Sequence, residues 1–86
     1  MFYVYVLQSI DEKKDVYIGH TAHLKERVDQ HNSSSNRGYT QGRNWQLVYY
    51  EAYSSAKDSK KRERRLKDDG RAKRQLLNRI EGSLTG

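Results

Sequence analysis

The sequence lacks cysteine and proline, and it has one methionine, one phenylalanine and one tryptophan among its 86 residues. Without cysteine, the chain has no disulfide, no thiolate metal site and no thiol nucleophile, so its redox compartment is not indicated. No apolar run approaches the roughly 18 residues that a membrane-spanning helix needs. Met1 leads directly into a strand-like segment, which is unlike a signal peptide. We therefore expect a cytoplasmic protein with no membrane association.

The excess positive charge is concentrated in one stretch, residues 57–74. The whole chain carries 17 Lys and Arg against 11 Asp and Glu, a net charge of +6. Residues 57–74 hold ten of the basic residues and four of the acidic ones, so the rest of the chain is neutral. Such a patch favours a polyanionic partner, most commonly nucleic acid. A protein with an acidic surface is an alternative partner from a different class.

The hydrophobic pattern predicts a single domain over residues 1–86 of the α/β (α+β) class, ordered over about 2–80 with a frayed tail at 81–86. Thr21 is the predicted N-cap of the first helix, and Gly70 is expected to end the second. The short link between the first two strands predicts an antiparallel hairpin. The elements follow the order β-β-α-β-α-α, with strands at 2–7, 16–19 and 45–53 and helices at about 22–31, 56–68 and 71–81.

Five residues stand out as candidates for chemistry. Tyr5 and Tyr17 lie in the predicted hairpin, and Arg27 and His31 are four residues apart on the apolar stripe of the first helix. Glu63 lies on the stripe of the second helix that must face the sheet, where a lone carboxylate is costly unless it is paired or binds a metal. Each has an ordinary interpretation: packed strand tyrosines, a solvated Arg and His, and a glutamate paired with neighbouring arginines.

Taken in order, these residues resemble the GIY-YIG nuclease superfamily. The motifs are Tyr3-Val4-Tyr5, Tyr17-Ile18-Gly19, then Arg27, His31 and Glu63. The chain is most similar to the small single-domain bacterial branch, which is related to the amino-terminal domain of an excinuclease, and the similarity runs from about residue 2 to residue 80. The resemblance implies a three-stranded antiparallel sheet flanked by helices, with the five side chains meeting on one sheet face.

The resemblance also implies a role for each of these residues. Tyr5 would help to deprotonate the attacking water, and Tyr17 would orient that water or a phosphate oxygen. Arg27 would neutralise phosphate charge, and His31 would lie near the nucleophile. Glu63 would bind the divalent cation, Mg²⁺ with Mn²⁺ as a substitute. One magnesium-binding carboxylate is sufficient, because Mg²⁺ keeps most of its waters.

Other residues are candidates for contacts with nucleic acid. Gly19 would let backbone approach phosphate closely, and His20 stands where other branches carry lysine. Tyr3 stands where the first motif has glycine in many relatives, and Asn78 lies near a late asparagine of some branches without a fixed alignment. The remaining candidates are basic: Arg37, Arg43, Lys60, Arg64 and Lys67.

The implied function is a divalent-metal-dependent endonuclease that hydrolyses phosphodiester bonds in DNA. We expect it to be directed by DNA structure or lesions, in repair or recombination, with a protein partner supplying substrate targeting. RNA stays open as a substrate. Two alternatives remain: a catalytically silent nucleic-acid-binding module that uses the basic stretch at 57–74, and an interaction protein that docks an acidic partner. Only turnover separates the endonuclease from the silent binding module, because both have the same charge pattern.

Overall fold

In a computed structural model, which describes residues 1–33, 38, 40 and 42–84, the chain forms three strands and three helices. Among these described residues, the longest helix has 13 residues. Within the described part of the chain, no helix is long and apolar enough to cross a membrane. The elements are β1 (Phe2–Ser9), β2 (Val16–Thr21), α1 (Leu24–His31), β3 (Trp45–Tyr53), α2 (Ala56–Asp68), α3 (Gly70–Arg79) and a 3₁₀ turn (Glu81–Ser83).

The sheet has the order β2-β1-β3, and β1 is antiparallel to both neighbours. The aromatic and β-branched run of β1 suits a central strand, because such side chains pack well on a pleated surface. Side chains alternate along the strand, so Val4 and Val6 point to one face and Tyr5 and Leu7 to the other. All four are buried. The predicted fold class, an α+β domain with a three-stranded antiparallel sheet flanked by helices, is confirmed.

Helices cover both faces of this sheet. On the first face, Leu66 of α2 and Leu76 of α3 pack with Val4 and Val6 in one apolar cluster. On the second face, α1 packs against a cluster formed by Tyr5, Leu7 and Trp45. Since β2 lies at the edge of the sheet, side chains from the two layers can approach each other around it. The candidate active-site side chains lie near this edge of the sheet.

The turn between β2 and α1 differs from the prediction. β2 extends to Thr21, so His20 belongs to the strand and pairs in register with Val4. Thr21 does not cap the helix; its hydroxyl accepts a hydrogen bond from the backbone N–H of His23. α1 accordingly begins at Leu24 rather than at residue 22. Strand pairing with β1 outcompetes the local capping preference of threonine.

The boundary between α2 and α3 also differs. Gly70 does not end α2, because it is the first residue of α3. Asp69 makes the break: its backbone is extended, and its carboxylate accepts hydrogen bonds from the N–H groups of Arg71 and Ala72. A short acidic side chain is a strong N-cap, so it starts a new helix here. In the segment predicted to be a frayed tail, Glu81–Ser83 form a 3₁₀ turn and Leu84 packs on the apolar cluster, while residues 85 and 86 lie outside the described part of the chain.

Candidate active site

A chain of hydrogen bonds runs through the interior on the α1 face. The Tyr5 hydroxyl lies 2.8 Å from His31 Nε2, and His31 Nδ1 lies 2.8 Å from the Thr40 hydroxyl. All three residues are buried. With Nε2 as the acceptor, the Tyr5 O–H has its partner, and Nδ1–H donates to Thr40; we assign the tautomer on this ground. The arrangement fixes the imidazole between a donor and an acceptor.

The Tyr17 ring completes an aromatic cluster around this chain. Its centroid lies 4.8 Å from the His31 ring and 6.4 Å from the Tyr5 ring. The ammonium of Lys67 lies 5.4 Å from the Tyr17 centroid, within the range of a cation–π contact. Lys67 belongs to α2, whereas His31 ends α1. The Tyr17 side chain is therefore the point at which the two helical layers meet.

Gly19 makes room for the Tyr5 phenol. A Cβ atom added to Gly19 would lie 2.5 Å from the Tyr5 hydroxyl oxygen and 2.6 Å from Cζ, closer than real contacts allow. The two residues are paired across β1 and β2, so their side chains share a face. Glycine is therefore required at position 19 because the aromatic side chain of Tyr5 lies close to the strand backbone.

Burial shapes the acid–base properties of the hydrogen-bonded pair. It raises the pKa of Tyr5, and the neighbouring ionisable groups of Tyr17 and Glu63 act in the same direction, while the positive charge of Arg27 opposes them. Burial also lowers the pKa of His31, and the positive charge of Arg27 lowers it further. At neutral pH, Tyr5 is consequently protonated and His31 is neutral. The imidazole is able to accept the tyrosine proton.

Glu63 enters from the other helical layer, alongside the edge strand. Its Oε1 lies 2.7 Å from Nδ1 of His20, and its Oε2 lies 3.2 Å from Nζ of Lys67. The Glu63 side chain is 16% exposed, and both partners are more exposed. The five predicted catalytic side chains thus do not share one sheet face: Tyr5 and His31 lie on the α1 side, and Glu63 lies on the α2 side at the β2 edge.

The donor set fits a divalent cation only as a one-carboxylate site. Within the described residues, no three His, Asp or Glu side chains cluster in a way that could hold a metal ion. Glu63 would hold the cation, with water and substrate oxygens as the other ligands, which magnesium accepts. The Lys67 ammonium on Oε2 must move aside for this. Its side chain is 45% exposed, so water can take over its solvation.

The other residues predicted to contact nucleic acid differ in their exposure and in whether an acidic side chain already pairs with them. Lys60 and Arg64 are exposed on α2. Arg43 forms ion pairs with Asp11 and Asp15, both at 2.9 Å, so its charge is balanced within the protein. The hydrogen bonds from Arg43 lower the pKa of Asp11 to about 2. Arg37 lies outside the described residues, and Asn78 is exposed on α3. These contacts stay predictions.

Two features of the site were missed by the sequence analysis. Thr40 fixes His31, but it lies in a polar loop without periodicity, so nothing local marks it. Asn32 bonds both backbone groups of Trp45, its side chain accepting from the N–H at 2.7 Å and donating to the carbonyl oxygen at 2.9 Å. The indole N–H of Trp45 in turn donates to the Thr40 carbonyl oxygen. For Asn32, its position directly after His31 was the available signal.

The similarity of the chain to known proteins agrees with this geometry. The family model described as the GIY-YIG catalytic domain matches residues 1–78. A UPF0213 protein of Haloquadratum walsbyi is 36% identical over 76 residues, covering 87% of this chain and 83% of the relative. A UPF0213 protein of Natronomonas pharaonis is 37% identical over 76 residues, covering 87% of each. No solved structure is significantly similar. The chain belongs to the GIY-YIG family.

Proposed function

We propose that this protein is a divalent-metal-dependent endonuclease that hydrolyses phosphodiester bonds in DNA. The observation that carries the proposal is the hydrogen bond between Tyr5 and His31, buried beside Tyr17 and within the electrostatic reach of Arg27 and Glu63. A buried tyrosine hydroxyl needs a hydrogen-bond partner, and the partner of Tyr5 is a base that can take up the phenolic proton. Membership of a family named for its catalytic domain supports the same activity.

The proton of the attacking water leaves through Tyr5. The water donates to the phenolic oxygen as the Tyr5 proton passes to His31 Nε2, 2.8 Å away, and the water oxygen attacks phosphorus. The lowered pKa of His31 means that the imidazole is free to accept. Tyr5 therefore needs no phenolate form at rest, which its raised pKa would oppose. The bond from phosphorus to one ester oxygen breaks as the new one forms.

Positive charge at the site would stabilise the phosphoryl oxygens. Arg27 offers a planar guanidinium that matches two phosphate oxygens. It is exposed, although the sequence placed it on the apolar stripe, so a substrate can reach it. Glu63 would hold the divalent cation, which when bound supplies charge stabilisation at the phosphate and the departing oxygen. Lys67 lies between Glu63 and Tyr17 and would contact the substrate backbone.

The direct test compares wild type with Glu63→Gln on supercoiled plasmid and a set of branched and nicked DNAs, each with magnesium, manganese or a chelator. We expect metal-dependent nicking by wild type and a loss of about 1,000-fold in the variant, in the range that such groups contribute. Thermal melting of both proteins checks folding. Preferential cutting of branched or damaged DNA would support a role in repair or recombination. Equal cutting by both proteins would remove Glu63 from the site.

A second candidate is a nucleic-acid-binding module that does not cut. Both carboxylate oxygens of Glu63 already have partners, His20 and Lys67, and Tyr3 stands at the glycine position of the first motif. This candidate predicts salt-sensitive binding of DNA or RNA with no cleavage under any metal. A partner protein that supplies targeting fits either candidate. The same plasmid assay, read beside a gel-shift assay, separates the two.

A further inference from the structure

We propose a second phosphate-binding site for the nucleic-acid backbone, in the cleft between α2 and α3. The inference rests on the proposed function and deepens it, because it places a contact with the substrate away from the attacked phosphate. The cleft has a volume of about 290 Å³. Its lining combines three guanidinium groups and one amide with two apolar side chains: Arg62, Arg65, Ala72, Gln75, Leu76 and Arg79.

The cleft lies on the opposite flank of α2 from the candidate active site. Successive helical residues are rotated by about 100°, so Arg62 and Glu63 diverge to either side of the buried Leu66. Their partners fix the two directions. Arg62 pairs with Glu51 of β3, and Glu63 pairs with His20 of β2. The cleft is therefore on the β3 side, on the order of one helix diameter (~10 Å) from the active site.

The three arginines differ in how much charge they offer to a ligand. Arg62 donates to both oxygens of Glu51, with Nε to Oε1 and Nη2 to Oε2 both 3.0 Å, so its charge is balanced. Arg65 is 68% exposed, and its carboxylate neighbour Asp69 is 3.9 Å away, at the long end of an ion pair. Among the described residues, no carboxylate lies within ion-pair distance of Arg79. Two guanidinium groups thus remain available to an anion.

This set of donors suits a phosphodiester group. Guanidinium groups stay charged and present a planar fork that matches phosphate oxygens, and the Gln75 amide adds a neutral donor. The concave shape lets donors converge from two helices, which a flat basic surface does not. A duplex covers ~10 Å in about three base pairs. One backbone can consequently reach both the cleft and the active site, and the site adds affinity and orientation without sequence preference.

The test removes the two available guanidinium groups and compares a matched control. Arg65→Gln with Arg79→Gln alters the cleft; Lys57→Gln with Arg74→Gln removes the same charge from exposed positions on the same helices. Binding of a labelled duplex of about 24 base pairs is followed by anisotropy across a salt series, with chelator present. We expect the cleft variant to bind roughly tenfold more weakly than the control, with a log–log salt slope smaller by about one to two.

The double variant Arg65→Lys with Arg79→Lys refines the result, because it keeps the positive charge and loses the planar guanidinium fork. We expect it to recover only part of the affinity. Equal losses in the cleft variant and the control would overturn the cleft as a site while leaving the endonuclease proposal intact. Wild type that binds no DNA would overturn both. Displacement of DNA by polyglutamate at equal charge concentration would also overturn the inference, since it indicates an acidic protein partner. Melting curves check that each variant folds.

Discussion

Two carboxylates lie on the two flanks of α2 and are treated very differently by their surroundings. Glu51 accepts hydrogen bonds from Arg62 and from the hydroxyls of Tyr49 and Tyr53. Glu63 is held by His20 and Lys67, whose side chains are 36% and 45% exposed. The Glu51 carboxylate is surrounded by three hydrogen-bond donors that pack around it. The partners of Glu63 are partly exposed side chains, so water or a ligand can replace them. The contrast separates a structural acid from one that is available for chemistry.

The enclosure of Glu51 shifts its own pKa and the pKa of its partner Tyr53 in opposite directions. Burial alone would raise the pKa of Glu51, but the hydrogen bonds from Arg62, Tyr53 and Tyr49 outweigh it and lower the pKa. Burial and the hydrogen bond to Glu51 raise the pKa of Tyr53 to about 12. At neutral pH, Glu51 is therefore ionised and Tyr53 is protonated. The network joins β3 to α2 and fixes the rotation of the helix that carries Glu63.

Among the variants that test the comparison of Glu51 with Glu63, Glu51→Gln should have the largest effect on stability. The change leaves the Arg62 guanidinium half-buried without a counter-charge, so we expect a loss of about 2–3 kcal/mol in unfolding free energy. In a domain of this size, that corresponds to a fall of about 10–20 °C in Tm. Thermal melting measures it, and cleavage per folded molecule should stay within a few fold of wild type. A variant that melts normally but no longer cuts would reverse the roles assigned to the two acids.

Gly19→Ala should disturb the candidate active site by a steric clash rather than by a change of charge. The added methyl would lie 2.5 Å from the Tyr5 hydroxyl oxygen, so the phenol must shift from the position in which it bonds His31. We expect about 1–2 kcal/mol of destabilisation from overpacking and roughly a 30-fold loss of nicking, from displacement of the acid–base pair. Gly82→Ala is the control, because nothing lies within 4 Å of a Cβ there. Unchanged nicking in Gly19→Ala would show that Tyr5 need not lie where the structure places it.

Thr40→Val tests whether the threonine positions His31. The valine keeps the shape but not the hydroxyl, so the Nδ1–H loses the Thr40 oxygen as an acceptor and the preference for this tautomer weakens. We expect a loss of about tenfold in the cleavage rate at saturating DNA and a displaced acid limb of the pH–rate profile. Thr40→Ser, which keeps the hydroxyl, should recover most of the rate. A Val variant with the wild-type profile would limit Thr40 to packing.

The smallest effect is expected in the dependence of stability on pH. The pKa of His31 is lower in the folded protein than in the unfolded chain, because of burial and Arg27. The unfolded state therefore binds the extra proton more readily, and stability should fall as pH drops below about 6.5 and be unaffected by this group above it. Melting of wild type and His31→Gln from pH 5 to 8 measures the difference. A steeper acid loss in the variant would contradict the sign.

Much of the fold could be predicted because periodicity and aromatic content act locally. β3 and α2 have the predicted bounds, and β1 was recognised from its alternating aromatic and β-branched residues. The boundary at Asp69 and Gly70 was wrong, since a glycine can either end one helix or begin the next. Extension of β2 through His20 was also missed, because strand length is decided by pairing with β1 rather than by local propensity.

The sequence predicted which residues form the candidate site, but not how they are arranged in space. Tyr5, Tyr17, His31 and Glu63 do lie close together, but periodicity could not show that they belong to two layers. Their separation follows from strand order, which places β2 at the edge. The partners that fix them come from sequence-distant segments: Thr40 from a polar loop, and the Glu51 network from β3. Such contacts leave no local pattern, so only the folded chain reveals them.

The edge position of β2 has a consequence for the speed of the reaction cycle. Arg27, Lys67 and Glu63 are all at least partly exposed around β2, whose outer edge pairs with no further strand among the described residues. In the proposed enzyme, a phosphate can reach these groups without the displacement of any packed element. Encounter should thus be governed by diffusion and charge attraction, with a rate that falls steeply with added salt. Product departure should show the opposite dependence, so that turnover is fastest at an intermediate ionic strength.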